Sequence, residues 1–367
     1  MRIIIKTTLF FGALLIPCLC AAQATSGYGM SGPSLGLIFE SDSAAIRPIL
    51  GIPGAATLGV ALNPGFTVDR AIVAPGADFA LTVAKDSFRL AAVRAAGSAA
   101  QWLTPATGEA PDFITFSPRG SSAALYYRSA GRLVVLSGLR SQTPQIVVVD
   151  TASVPAAPSL VAVSEDAASL LLAVDEGESA ALYYLPAAPV ANTKAPVGRV
   201  QASSLRASAL SSNGVAQRLG TFQSVSALRF AGAGADALLA DGKANAVYLI
   251  QDASGTAQIR VLGSAQDGLS QPTAVEAMDA LRVLVVNAGA ANLTILSRDG
   301  APAVSMQCGC TPVGLHQLAG NSVYRLTEPS KEPMWLLDAG GVEARIVAVP
   351  PDRSQSAAAA TAKGGQQ

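Results

Sequence analysis

Four short apolar runs, separated by turns rich in Gly, Asn and Asp, recur along the chain, and this repeat limits the fold more than any other feature. The clearest unit runs from Pro272 to Gly309, where TAVEAMD, LRVLVVNAG, NLTILSRDG and AVSMQCG read as successive strands. The unit before it, Ser226 to Ser264, follows the same plan with ALRFAG, DALLADG, AVYLIQDASG and AQIRVLGS. PVGLHQLAG, NSVYRLTE, PMWLLDAGG and ARIVAVP repeat it from Pro312. Asp112 to Asp150 carries another copy, a weaker one lies between Asp69 and Leu103, and a further one begins at Ser159. Turns such as Asp241-Gly242-Lys243 and Arg298-Asp299-Gly300 supply the positive φ that tight hairpins require. Unit starts fall roughly 40 to 47 residues apart, the period of a four-stranded propeller blade. Helical repeats would need apolar spacing near 3.6 over ten or more residues, which these runs lack.

A single such sheet cannot hide both of its faces, whereas neighbours stacked around an axis cover one another and shield strand edges. The expected fold is therefore all-β, a β-propeller of four-stranded blades. Six full units plus a partial one favour seven blades, with six or eight as alternatives. The partial unit, Leu35 to Leu50 (LGLIFESDSAAIRPIL), reads as the third and fourth strands of a blade lacking its first two, available to a closing seam. A large β-sandwich is the competing architecture, but it leaves the four-strand period unexplained.

Composition agrees with a large buried core, because 50% of residues are apolar and only 14% charged. Aromatics make up 5%, so Ala, Val, Leu and Ile must fill the interior. Arg2 and Lys6, an apolar stretch from Ile3 to Leu19, and Ala22-Gln23-Ala24 together predict a signal peptide over residues 1–24, cleaved near Ala24. Cys18 and Cys20 raise a lipoprotein signal as the rival, but bulky Pro17 and Leu19 precede them where small residues are needed. The chain holds 25 Lys and Arg against 25 Asp and Glu, so losing Arg2 and Lys6 leaves a net charge of about −2. That balance offers no footprint for nucleic acid, and no later stretch is long and apolar enough to span a membrane once the signal is removed. The expected layout is a flexible mature N-terminus at 25–34, a propeller at 35–350 and a disordered tail at 351–367. Within the propeller, an Ala/Ser/Pro-rich insertion at 186–220 is expected as a loop over one face or an added edge strand.

LVVNAGAANLTILSRDG (Leu284 to Gly300) and LLADGKANAVYLIQDASG (Leu238 to Gly255) resemble the YVTN-type repeats of surface-layer and periplasmic bacterial propellers. The matching elements are an apolar strand, Asn or Asp, Gly, a small polar turn, a second apolar strand, then Asp and Gly. The resemblance covers two units well and the others loosely. It implies an exported bacterial propeller and no particular activity. No WD dipeptide closes a blade.

Few residues suggest chemistry. After signal cleavage the cysteines are Cys308 and Cys310, in Met-Gln-Cys-Gly-Cys-Thr-Pro, and an oxidising compartment would join them as a disulfide stapling the turn between two units. His316, the single His, follows closely and would complete a three-ligand Cys-x-Cys/His metal site. A structural His is the plainer reading. Glu165-Asp166, Asp175-Glu176-Gly177-Glu178, Asp241-Gly242 and Asp299-Gly300 read as solvated turns before catalytic or calcium-binding carboxylates. Gly232-Ala233-Gly234 lacks the strand-then-helix setting of a phosphate loop. No catalytic, cofactor or metal set is assigned, and no cofactor is expected.

These readings lead to a periplasmic or secreted, non-catalytic propeller. It is expected to act as a monomeric binding or scaffold module for a protein or glycan partner in the cell envelope. The alternative is a propeller enzyme of lactonase or glycosidase type, with carboxylates or a metal on its axis.

Overall fold

The computed structural model describes residues 32–95, 100–103, 109–141, 144–187, 210–212, 214–320, 322–329, 332–341 and 343–351. The expected signal peptide, most of the flexible mature N-terminus, the tail from residue 352 and most of the 186–220 insertion lie outside these residues. The chain divides into Met1–Gly32 and Pro33–Gln367, and the second unit carries every strand described below.

Seven sheets, each built on antiparallel neighbours, follow one another along the chain as the blades of a propeller. Blade 1 has three strands, Ser34–Glu40, Ala45–Ile52 and Ala55–Leu58. Blade 2 has Val68–Val73, Phe79–Ala84, Leu90–Arg94 and Gln101–Trp102; blade 3 has Phe113–Phe116, Ala123–Tyr127, Arg132–Ser137 and Gln145–Asp150. Blade 4 has Pro158–Val163, Ser169–Asp175, Ala180–Pro186 and Gln217–Phe222. Blade 5 has Val225–Phe230, Ala237–Asp241, Ala246–Gln251 and Gln258–Gly263. Blade 6 has Pro272–Ala277, Arg282–Asn287, Asn292–Ser297 and Val304–Gln307; blade 7 has His316–Gln317, Val323–Arg325, Met334–Asp338 and Arg345–Val349. In every blade the first strand lies innermost, and the first strands of blades 1 and 2, 3 and 4, 4 and 5, and 5 and 6 touch. No helix among the described residues is long and apolar enough to cross a membrane.

The middle strands read as unbroken apolar runs because neighbours cover both faces. On the second strand of blade 5, Leu238 and Ala240 pack towards blade 6, while Ala237 and Leu239 pack towards blade 4. The second strand of blade 6 alternates likewise, with Val283 and Val285 facing blade 5 and Leu284 and Val286 facing blade 7. Each of the seven apolar layers fills one gap between adjacent blades, and the seventh closes the ring. Full burial of one Leu or Val contributes about 1.5–3 kcal/mol, so these layers dominate the stability.

Closure needs no strand shared between the two ends of the fold. Leu35 and Ile49 of blade 1 meet Leu318, Met334 and Leu336 of blade 7 through side chains, and the Ala319 amide donates to the Leu35 carbonyl at 2.9 Å. This corrects the expectation for Leu35 to Leu50, which supplies the first and second strands of blade 1 instead of the third and fourth. Any two adjacent antiparallel strands look alike in sequence; the position is set by Gly36. Its φ of +111° and a would-be Cβ only 2.3 Å from the Ala77 Cβ let this strand lie against blade 2, where the Leu37 amide donates to the Ala77 carbonyl.

The 186–220 segment divides among three roles. Pro186 ends the third strand of blade 4, and Gln217–Phe222 forms its outermost strand. Between them, Leu210–Ser212 pairs in parallel with Gln145–Asp150, adding a fifth strand to blade 3.

Candidate functional site

The turn residues singled out in the sequence hold blades together. Buried Asp241 ends the second strand of blade 5 and accepts from the amides of Gln223, Ser224 and Ala244 at 2.8, 3.1 and 2.9 Å. Asn287, at the same place in blade 6, accepts from the Ser270 amide at 3.2 Å and donates to Asn292 Oδ1 and Thr294 Oγ1, both at 2.9 Å. In blade 4, Asp175 accepts from Ser159 Oγ at 3.1 Å. The repeated Asp or Asn thus ties the second strand to the chain entering the first.

The remaining acidic turns behave similarly. Glu165 accepts from the Arg119 amide at 2.8 Å and the Ser121 amide at 3.3 Å, linking blade 4 to blade 3. Burial pushes the Asp166 carboxyl up, but hydrogen bonds from Ser164 and the Ala168 amide outweigh it and hold the pKa below the ordinary value. Glu176 pairs with Arg218 at 2.7 Å, Glu178 is exposed, and Asp299 accepts from Ser297 and from the Ala301 amide. Gly232 adopts a φ of +89° in a plain turn. The sulfurs of Cys308 and Cys310 stand at bonding distance, with Cα atoms 4.9 Å apart, in the connection from blade 6 to blade 7. They pack against the apolar layer between those blades, whereas His316 lines the axis. Among the described residues no three His, Cys, Asp or Glu side chains form a metal-sized cluster.

The structure draws its most unusual chemistry to the axis. A cavity of about 190 Å³ lies among the innermost strands, and Leu37, Ile72, Ile114, Arg229, His316 and Arg325 are among the residues that line it. Pro75 and Gln317 also line a wider funnel of about 1060 Å³ at the mouth formed by the turns after the first strands. Blades 2 to 7 all contribute to that funnel, with Asp78, Arg119, Arg140, Glu165, Asp279 and Arg298 among its charged groups.

One ion pair spans the two spaces. Arg229, which lines the cavity, meets Glu276, which lines the funnel, with Nε and Oε2 2.8 Å apart. Glu276 is 5% exposed, and the two atoms touch without the alignment of a hydrogen bond. Burial raises the Glu276 pKa to about 7 even though Arg229 pulls it down. Burial, reinforced by the Arg325 and Arg229 guanidiniums, lowers the His316 pKa to about 3. Since 48% of the His316 side chain faces open channel space, water there softens this effect. Arg325, itself buried, makes a two-pronged pair with Glu328, its NH1 2.6 Å from Oε2. The Tyr324 hydroxyl is pushed up to about 12, first by burial and then by the charge of Glu276. The axial cavity is thus not lined by a ring of carboxylates. It is a chamber with one largely apolar wall, and with two guanidiniums and an imidazole among the groups that line it.

Sequence reasoning placed His316 near an apolar setting and missed Arg229, Glu276 and Arg325. A usable signal existed: Arg229 and Glu276 occupy the same fifth position of the innermost strands of adjacent blades, Val225–Phe230 and Pro272–Ala277. Charges at matched positions of strands that line an axis face one another.

No family model matches the chain, and no curated protein matches it. Among solved structures, a functionally unknown protein from Desulfotomaculum acetoxidans superposes with a TM-score of 0.51 at 10% identity, covering 87% of this chain and 100% of that one. The hydrazine synthase of Kuenenia stuttgartiensis gives 0.49 at 13% identity, over 90% and 99% of the two chains. Virginiamycin B lyase from Staphylococcus aureus gives 0.43 at 12% identity, over 84% and 92%. At such identities a likeness speaks for architecture alone. Strand order, seven interlocking apolar layers and the superposition agree: this chain is a seven-bladed β-propeller.

Proposed function

We propose that this is an exported, YVTN-like, non-catalytic propeller that binds a partner in the bacterial cell envelope through its axial funnel. The observation that carries this reading is the funnel itself. It is about 1060 Å³, walled by turns from six blades and lined with charges of both signs. Its size matches ordinary ligand sites, and turns held on a rigid scaffold are where recognition is usually built. Of the acidic groups lining the funnel, Glu276, Asp78 and Asp279 are each engaged by an arginine, which disfavours their use as the facing acid and base of a glycosidase. The Cys308–Cys310 pair is read as a turn staple formed on export, and the protein as a monomer.

Two measurements test the proposal. Fractionation of cells expressing the full chain with a C-terminal tag should place it, shortened by the signal peptide, outside the cytoplasm. The immobilised protein should retain a protein or glycan from envelope extracts, and an Arg119→Ala/Arg298→Ala variant should lose at least tenfold of that retention. Retention unchanged in the variant, or an unprocessed cytoplasmic chain, overturns the reading. Turnover of lactone or glycoside substrates would favour the enzyme alternative.

A further inference from the structure

We propose that the axial cavity is a binding site for a small organic monoanion, a carboxylate with a short apolar body, held head-on by Arg229. This deepens the reading of the propeller as a binder by giving its channel a ligand class.

The polar end comes first. Among the described residues, the Glu276 carboxylate is the partner recorded for Arg229, and it touches Nε without hydrogen-bond alignment. Arg229 lines the cavity, and the terminal nitrogens of its guanidinium lie outside that contact, so they can offer a carboxylate the two parallel hydrogen bonds its shape matches. His316 stands at the same wall, and its neutral ring adds a donor or an acceptor without competing charge. Arg325 also lines the cavity, its guanidinium already engaged by Glu328, and contributes positive potential.

The other wall sets the ligand's body. Leu37, Ile72, Ile114 and Phe116 offer the ligand's body an apolar wall, and the polar side chains beside them, Thr115 and Gln317, are uncharged. About 190 Å³ corresponds to roughly six waters at about 30 Å³ each. A chain of a few carbons replaces that water and gains roughly fourfold in affinity for each buried methylene. Phosphate or sulfate would meet the guanidinium but leave the apolar wall empty.

The Arg229–Glu276 contact couples binding to protons. An incoming carboxylate competes with Glu276 for the same guanidinium. Glu276 yields most readily when protonated, and its pKa of about 7 puts that within reach. The charged and titratable groups around it are Arg229 on blade 5, Tyr324 and His316 on blade 7, Asp279 and Arg282 on its own hairpin, and Arg298 at the funnel wall. Tyr324 stays protonated across pH 6 to 8, burial and the neighbouring guanidiniums favour the neutral His316 ring, and Asp279 and Arg282 are paired with each other. Glu276 is therefore the group whose proton should be taken up on binding, so affinity should fall as pH rises past about 7.

Calorimetric titration of the purified full chain with acetate, butyrate, hexanoate and octanoate, and with hexanol, hexylamine and inorganic phosphate, tests this at pH 6 and 8. Affinity should rise from acetate to butyrate or hexanoate and then fall when the cavity is full. It should weaken at least fivefold from pH 6 to 8 with net proton uptake, and hexanol and hexylamine should not bind measurably. Arg229→Met should abolish binding. Glu276→Gln, which keeps the shape and removes the charge, should keep binding while flattening its pH dependence; it also guards against a folding failure in the arginine variant. Equal binding by hexanol, preference for phosphate, or carboxylate binding unaffected by Arg229→Met would overturn the proposal. The Arg119→Ala/Arg298→Ala protein separates the two claims, since it should lose envelope retention while still binding butyrate.

Discussion

The gaps between blades and the axis they surround are built on opposite rules. Between blades, a strand such as Ser169–Asp175 offers Leu170, Leu172 and Val174 to one neighbour and Leu171 to the other, all fully buried and apolar. On the axis, Arg229, Glu276 and Arg325 sit largely enclosed with charges paired across blades or along one strand end. Removing apolar surface from water is favourable wherever it happens, whereas enclosing charges pays back only with well-aligned partners. The interfaces thus account for the existence of the ring. The axis must be explained by something other than stability.

The sharpest way to break this contrast is to damage an interface. Phe79 is wholly buried, stands edge-on to Phe116 at 5.7 Å and lies beneath Arg94 and Arg140. Phe79→Ala should cost about 3–5 kcal/mol, read as a lower urea midpoint with an unchanged slope. A loss below about 1 kcal/mol would mean that the blade 2–3 layer does not carry the fold.

The axis should answer to pH instead. Glu276 titrates near its ordinary value of 4.5 when unfolded and near 7 when folded, so the folded state holds a proton that the unfolded state has released. Its contribution is fully present below about pH 4.5 and disappears as pH climbs through 7, a span of about 3 kcal/mol. His316 acts in the opposite sense, because its lowered pKa removes stability as pH falls from 6.5 towards 3. Urea unfolding of the wild type and Glu276→Gln at pH 5 and 8 isolates the first effect. The wild type should lose stability relative to the variant at the higher pH, and parallel curves would refute the assignment.

A third measurement concerns the turn signature. Asp241→Ala leaves three backbone amides without their acceptor and should cost about 2–3 kcal/mol. Asp241→Asn, the residue blade 6 uses at the same place, should cost less than about 1 kcal/mol. Equal losses would separate the motif from its proposed capping role. The smallest effect is expected from Cys308→Ser/Cys310→Ser. So short a loop removes little chain entropy, about 1–2 kcal/mol by the loop-closure argument, and thiol titration of the protein after signal cleavage should find Cys308 and Cys310 without free thiols.

The contrast also explains what could be read from the chain. Runs such as LRVLVVNAG reveal their strands because both faces are covered, and Asp241 and Asn287 mark turns because their side chains bond the local backbone. Blade number followed from the period. The place of Leu35 to Leu50 within its blade did not, because a hairpin carries no label for its distance from the axis. The axial groups were hidden for a different reason. Arg229, Glu276, His316 and Arg325 come from three separate blades and meet only after the ring closes, so no local window contains the site. Aligning the repeats position by position, with attention to charges on innermost strands, would have exposed part of it.

Closure without a shared strand has a consequence for how the chain can be cut. Blade 1 is built wholly from the start of the fold and blade 7 wholly from its end, so every sheet survives if the natural termini are linked and the chain is reopened elsewhere. A circular permutant beginning just before Pro272 would present the same seven sheets with its break between former neighbours.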